Sequence, residues 1–229
     1  MKTVIASSNE MVGSAVTRQS ITRKVLLVCG IFASLLYVGS DIIAAMRWEG
    51  YSYTAQSVSE LRALDAPTRP FLVPILFLYA VLEIAFGLGI WGVAGRKRAL
   101  RITGVLVFGL GIVDLVALFF PMHLRGTEGT LTDTMHIILT GVTVLLFLLT
   151  LGFGASGDGK WFRWYSYGTL LALIVTGAWA FLDGPRIAAN LPTPWIGVRE
   201  RITIYGYMLW MAVLAIVLLR MQPERLSHE

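Results

Sequence analysis

The chain alternates between long apolar runs and shorter polar connections. The apolar runs are Val25–Met46, Phe71–Gly95, Ile102–Phe120, Met135–Ala155, Trp164–Leu182 and Ile202–Leu219. A helix rises 1.5 Å per residue, so about 20 apolar residues cross the roughly 30 Å hydrocarbon core of a bilayer. The pattern therefore predicts an all-α integral membrane protein, a six-transmembrane-helix bundle. The first run is too long for the apolar core of a cleaved signal peptide, and no small-residue cleavage pattern follows it, so it is expected to remain as a span. Residues 1–22, polar and rich in Ser and Thr, read as a disordered cytoplasmic tail, 23–221 as the membrane domain and 222–229 as a second cytoplasmic tail.

The connections come in two kinds. GRKRALR and SGDGKWFR are tight and basic, whereas Arg47–Pro70, Pro121–Thr134 and Asp183–Arg201 are longer and carry both signs of charge. Counted on alternate sides, 12 of the 19 Lys and Arg fall with the termini and the two tight loops. Cytoplasmic loops carry the excess of Lys and Arg. Both termini are thus expected in the cytoplasm, with the three longer connections on the outer face.

The first outer connection contains Ser57-Val-Ser-Glu60, which has the form of a capping box. Val58, Leu61 and Leu64 then share one face while Glu60, Arg62 and Asp65 look elsewhere, and Ala66-Pro67 stops the helix because a residue before proline is pushed out of the α region. The expectation is about two turns of short amphipathic helix in the first outer loop, flanked by Trp48, Tyr51 and Tyr53 at interface depth. Two placements fit it: resting on lipid or closing the mouth of the bundle.

Composition agrees with the membrane reading. The sequence is 56% hydrophobic and 14% charged, against roughly 25% charged in a soluble domain. The net charge of +5 sits in small groups at the ends of apolar runs, not on one basic face, which excludes a nucleic-acid partner. Membrane lipids are the expected surroundings, and no feature of the pattern sets an oligomeric state. The one cysteine, Cys29, lies within an apolar run and rules out an intrachain disulfide. Bulky Val28 before it speaks against a lipidation site. FGLGIW (Phe86–Trp91) and FGLGIV (Phe108–Val113) match but do not extend into a repeat; their glycines read as places where helix backbones approach.

Three carboxylates lie within the apolar runs: Asp41, Glu83 and Asp114. A charge in hydrocarbon costs several kcal/mol, so such groups face the bundle interior and often serve function. Without Lys or Arg at their depth they are protonated, reach water, share a proton or hold a cation. Asp114 lies about two turns, roughly 10 Å, below Phe120-Pro121. Above it, at one outer level, come His123 and Arg125, then Asp133 and His136, then Asp183, Arg186 and the triplet Arg199-Glu200-Arg201. His228, in the second tail, is set aside.

Three readings follow. In the first, these groups only bond between helices and pair at headgroup level, in a purely structural or assembly role. In the second, Glu60, Asp65, Asp114, His123, Arg125, His136, Asp183, Arg199, Glu200 and Arg201 line a pocket that binds a lipid headgroup or small anionic ligand. In the third, Asp114, His123 and His136 hold a zinc ion that activates water for hydrolysis of a lipid-like substrate. With two usable histidines 13 residues apart and no HxxxH or HExxH pair, no cofactor is expected.

The sequence also resembles a bacterial and archaeal multi-spanning membrane family catalogued as a domain of unknown function, number 998. The resemblance rests on SVSELRALDAPTRP (Ser57–Pro70), FFPMHLRG (Phe119–Gly126), TDTMH (Thr132–His136) and WIGVRERITIYGYMLW (Trp195–Trp210), in that order, and with the span spacing extends from Val25 to Leu219. It implies a six-span bundle in a bacterial or archaeal membrane, for which the cytoplasmic (inner) membrane is expected, and brings no established activity. The layout is more distantly similar to intramembrane hydrolases of the alkaline ceramidase kind, which use several histidines with an aspartate and a serine.

Overall fold

The computed structural model describes residues 2–127 and 129–222, with side chains from Gln19 onward; His228 lies outside the described residues. The regular structure among them is helical: α1 (Lys2–Arg47), a 3-10 cap helix (Val58–Arg62), α2 (Arg69–Val93), α3 (Arg98–Ala117), α4 (Leu131–Gly154), α5 (Lys160–Phe181), α6 (Gly184–Ala188) and α7 (Ile196–Arg220). Six stretches are long and apolar enough to cross a membrane: Gln19–Arg47 of α1, then α2, α3, α4, Lys160–Ala188 and α7. Each contains most of one predicted run. One shift changes the site: α7 starts at Ile196 and so takes Arg199, Glu200 and Arg201 into its first turns instead of leaving them in a loop.

Short connections make antiparallel neighbours, and the six long helices stand in chain order around a closed ring. α1 packs on α2, α2 on α3, α3 on α4, α4 on α5, α5 on α7, and α7 returns to α1. Glycine brings α2 and α3 together. A Cβ on Gly87 would collide with the backbone of Gly104 and Phe108, and one on Gly111 with that of Ala80 and Ile84. Gly89 lies equally close to Leu26 of α1, whereas Gly109 faces open space. The matching FGLGI segments therefore act in helix packing through three of their four glycines.

Hydrogen bonds between helices supplement the packing, as expected where lipid provides no hydrophobic drive for helices to associate. Ser34 Oγ donates to Met208 O of α7 at 2.8 Å, Trp210 Nε1 to Ser166 Oγ of α5 at 2.8 Å, and the Thr176 and Thr203 hydroxyls meet at 2.7 Å. Phe147 stacks on Tyr207 with ring centroids 3.7 Å apart. Large apolar side chains such as Leu35, Phe77, Leu145, Leu171 and Leu209 stand exposed around the perimeter. A soluble surface would not carry so wide an apolar belt; in a multi-pass membrane protein it is the lipid-facing side.

The ring has two unlike ends. One carries only the tight connections 94–97 and 155–159, and the other carries all three longer connections. At this second, capped end the short helix begins with the expected capping box, Glu60 N donating to Ser57 Oγ at 3.3 Å and Ser57 N to Glu60 Oε2 at 2.7 Å. It is shorter and tighter than the two amphipathic turns expected, because Ala63 already has extended ψ. The faces also differ from expectation: Leu61 is buried among Ala44, Leu72 and Leu76, but Glu60 is buried too, while Leu64 is exposed. Of the two placements, the segment closes the bundle mouth.

Candidate functional site

Most of the predicted site residues gather at the capped end. They do so as pairs that tie one connection to another. Glu60, fully buried, receives Arg125 side-on, with Nε to Oε1 and Nη2 to Oε2 both at 2.7 Å. Such bidentate pairing fits the planar guanidinium to the carboxylate. The Glu60 carboxylate raises Arg125 above its ordinary pKa, so the arginine stays a cation. Arg125 also donates to Thr193 Oγ1 at 3.2 Å, and Thr193 in turn donates to Ala55 O at 2.9 Å. One arginine thereby joins all three long connections.

The α7 triplet divides its work in the same way. Arg199 pairs with Asp183 at 2.6 Å and lies over the Trp179 ring. Glu200 accepts Val58 N at 2.7 Å, holding the first turn of the cap helix. Arg201, nearly fully buried, pairs with Asp41 of α1 at 2.8 Å and donates to Tyr53 O at 2.7 Å and Tyr51 Oη at 3.0 Å. Tyr205 donates to the same Asp41 carboxylate, and the Tyr53 ring lies under the guanidinium with its centroid 3.5 Å away. A buried ion pair needs such additional hydrogen bonds to offset desolvation.

This arrangement depends on Gly197, one turn before Arg201. Its N–H donates to Thr54 O at 3.0 Å, and a Cβ there would strike the carbonyl oxygens of Tyr53 and Gln56. Among helix-start residues only glycine lets the first connection lie directly on α7. Burial pushes the Tyr51 hydroxyl above its usual range, opposed by the hydrogen bond from Arg201. The phenol stays neutral and donates to Ser57 O at 2.9 Å.

The two histidines go to separate places. His123 Nδ1 and backbone N both reach Asp133, at 2.9 and 2.7 Å, and Asp133 also caps α4 through Thr130 N. His136, buried, sits between Phe120 O and Ser59 Oγ, each at 3.2 Å. Asp114 lies deeper on α3, and Asp65 is exposed on the surface. Asp114, His123 and His136 are thus not brought together, and among the described residues no group of three His, Cys, Asp or Glu is placed to hold a metal ion.

Two arginines that were not among the predicted site residues share one crevice at this end. Arg62, ending the cap helix, and Arg69, opening α2, line this narrow crevice with Val73, Leu118, Pro121 and His136, with room for about one water molecule. Arg69 Nη1 donates to Arg62 O at 2.8 Å. Among the described residues neither guanidinium belongs to an ion pair. The sequence shows both arginines in the first long connection; it does not show that Glu60, the acid nearest Arg62, is taken by Arg125. Tyr205 was also missed, although it stands four residues after Arg201 and so on the same helix face.

Comparison with curated proteins and with solved structures gives no match. Residues 31–217 match the family described as protein of unknown function (DUF998), in keeping with the resemblance read from the motifs, and the chain belongs to that family.

Proposed function

We propose that the protein resides in a bacterial cytoplasmic membrane with both termini in the cytoplasm, and that its outward-facing capped end binds a phosphate-type anion at Arg62 and Arg69. The anion is either a lipid headgroup or a small free ligand of the same chemistry. One observation carries this reading: Arg125, Arg199 and Arg201 each have a carboxylate, whereas Arg62 and Arg69 border a crevice without one. Guanidinium planes suit phosphate oxygens and remain charged at any physiological pH. The crevice admits no more than a water-sized group, so the anion sits at its mouth against the two guanidinium groups, with Val73, Leu118 and Pro121 beneath it.

The test uses the full chain purified into lipid nanodiscs containing phosphatidylcholine with or without phosphatidylglycerol. Native mass spectrometry should find retained phosphatidylglycerol in the wild type and much less in the Arg62→Ala/Arg69→Ala double variant. Inorganic phosphate forms the second arm. If it raises the unfolding temperature of the wild type alone while lipid retention is unchanged, the ligand is a small anion. Equal lipid retention in both proteins, with no phosphate effect, refutes the reading. Reporter fusions at GRKRALR and at Thr127 test the orientation, with the basic loop expected inside.

A further inference from the structure

Beneath the capped end, the ring encloses a second group of polar side chains that the anion site does not use. The glycine contacts between α2 and α3 fix their register: Gly87 meets Gly104 and Phe108, and Gly111 meets Ala80 and Ile84. This antiparallel alignment puts Glu83 of α2 and Asp114 of α3 side by side within about a turn. Glu83 is fully buried, and neither of its carboxylate oxygens has a protein hydrogen-bond partner. Two buried hydroxyls are in the same condition, Tyr207 Oη on α7 and Thr150 Oγ1 on α4. Tyr207 Oη lies near both carboxyls and near Thr150 Oγ1, but none of them meets it in hydrogen-bond geometry. Unpartnered oxygens from α2, α4 and α7 therefore look into one interior.

Buried polar groups are nearly always hydrogen-bonded, so several orphans in one interior need an explanation. We propose that Glu83 and Asp114, with the hydroxyls of Tyr207 and Thr150, form an intramembrane site for a small monovalent cation, a proton or a sodium ion. The donors are all hard oxygens, the ligand type that suits such ions and not soft metals. Two carboxylates cannot both stay ionised in hydrocarbon unless positive charge joins them. The other titratable groups facing the pair are Tyr79 of α2, Tyr37 of α1 and Tyr207 of α7, none of them cationic; Arg62 of the cap helix faces Asp114 from above. His136 of α4 is held by Phe120 and Ser59.

The full chain in nanodiscs distinguishes the two occupants. Thermal unfolding is followed in sodium chloride against choline chloride, and infrared difference spectra report the C=O stretch of a protonated carboxyl. Sodium-specific stabilisation, absent in Glu83→Gln, identifies sodium. A protonated-carboxyl band lost in Glu83→Gln, with no sodium effect, identifies the proton. Neither signal in the wild type overturns the proposal. Should Glu83→Gln fail to fold, Tyr207→Phe and Thr150→Val each remove one oxygen with little change of shape. They should weaken sodium binding about tenfold or shift the carboxyl band; no change in either variant also overturns it. Arg69→Ala, which leaves Arg62 in place above Asp114, should keep whichever signal the wild type gives, so the two sites are tested separately.

Discussion

Glu60 and Arg125 lie 65 residues apart and meet as parallel forks, with two contacts of 2.7 Å, at a point where the glutamate has no access to solvent. Glu60 at once closes the capping box of the cap helix and anchors the connection between α3 and α4. The charges of the long connections thus act first as latches. Among the described residues, Arg62 and Arg69 belong to no such latch and border the crevice where a ligand is proposed.

The two halves of this latch should not be equivalent. Arg125→Ala strands a fully buried carboxylate and is expected to cost about 3–5 kcal/mol. Glu60→Gln should cost less, because Arg125 keeps partial contact with solvent and its bonds to Thr193 and Ala55. Unfolding midpoints in detergent, with proteolysis between residues 51 and 57 as a second readout, should rank Arg125→Ala below Glu60→Gln. The reverse order would contradict the burial argument.

Gly197→Ala should loosen the cap although it removes no polar group. The new methyl meets two fixed carbonyl oxygens, an overpacking expected to cost about 1–3 kcal/mol. Gly109→Ala is the control. It meets nothing within 4 Å, and alanine favours a helix interior by up to about 1 kcal/mol. Thermal melts should separate the pair in opposite directions; equal shifts would remove the close-approach explanation.

Tyr51 gives the cap an alkaline limit. Burial raises its phenol in the folded protein above the unfolded value near 10. A group raised on folding contributes stability that is complete below the unfolded pKa and declines as pH climbs past it. The wild type should therefore lose stability above about pH 10, and Tyr51→Phe should lose less over the same interval. Melting curves by tryptophan fluorescence, compared between the two proteins at each pH, provide the measurement; parallel curves would assign the alkaline loss elsewhere.

Some of this was open to reading along the chain. The capping box needs only Ser57 and Glu60 three positions apart, and it formed. The spans needed only apolar length. The triplet at 199–201 was placed in a loop because charged residues ended the apolar run, yet α7 includes them: Asp41, Asp183 and the Val58 amide satisfy their charges inside the bundle. Likewise helical periodicity sets Glu60 off the apolar face of the cap helix, while Arg125, from a different connection, draws it into the interior.

By itself the sequence determined that there are six crossings, which ends carry long polar connections, where the cap helix starts, and the family. These follow from the cost of exposing polar backbone and charge to hydrocarbon, a cost incurred locally, residue by residue. Tertiary structure alone decided which carboxylate each arginine takes, that Asp114, His123 and His136 stay apart, and that Arg62 and Arg69 share one crevice. Ion pairing is a contest among groups brought close by the ring of helices, and distance along the chain carries no record of its outcome.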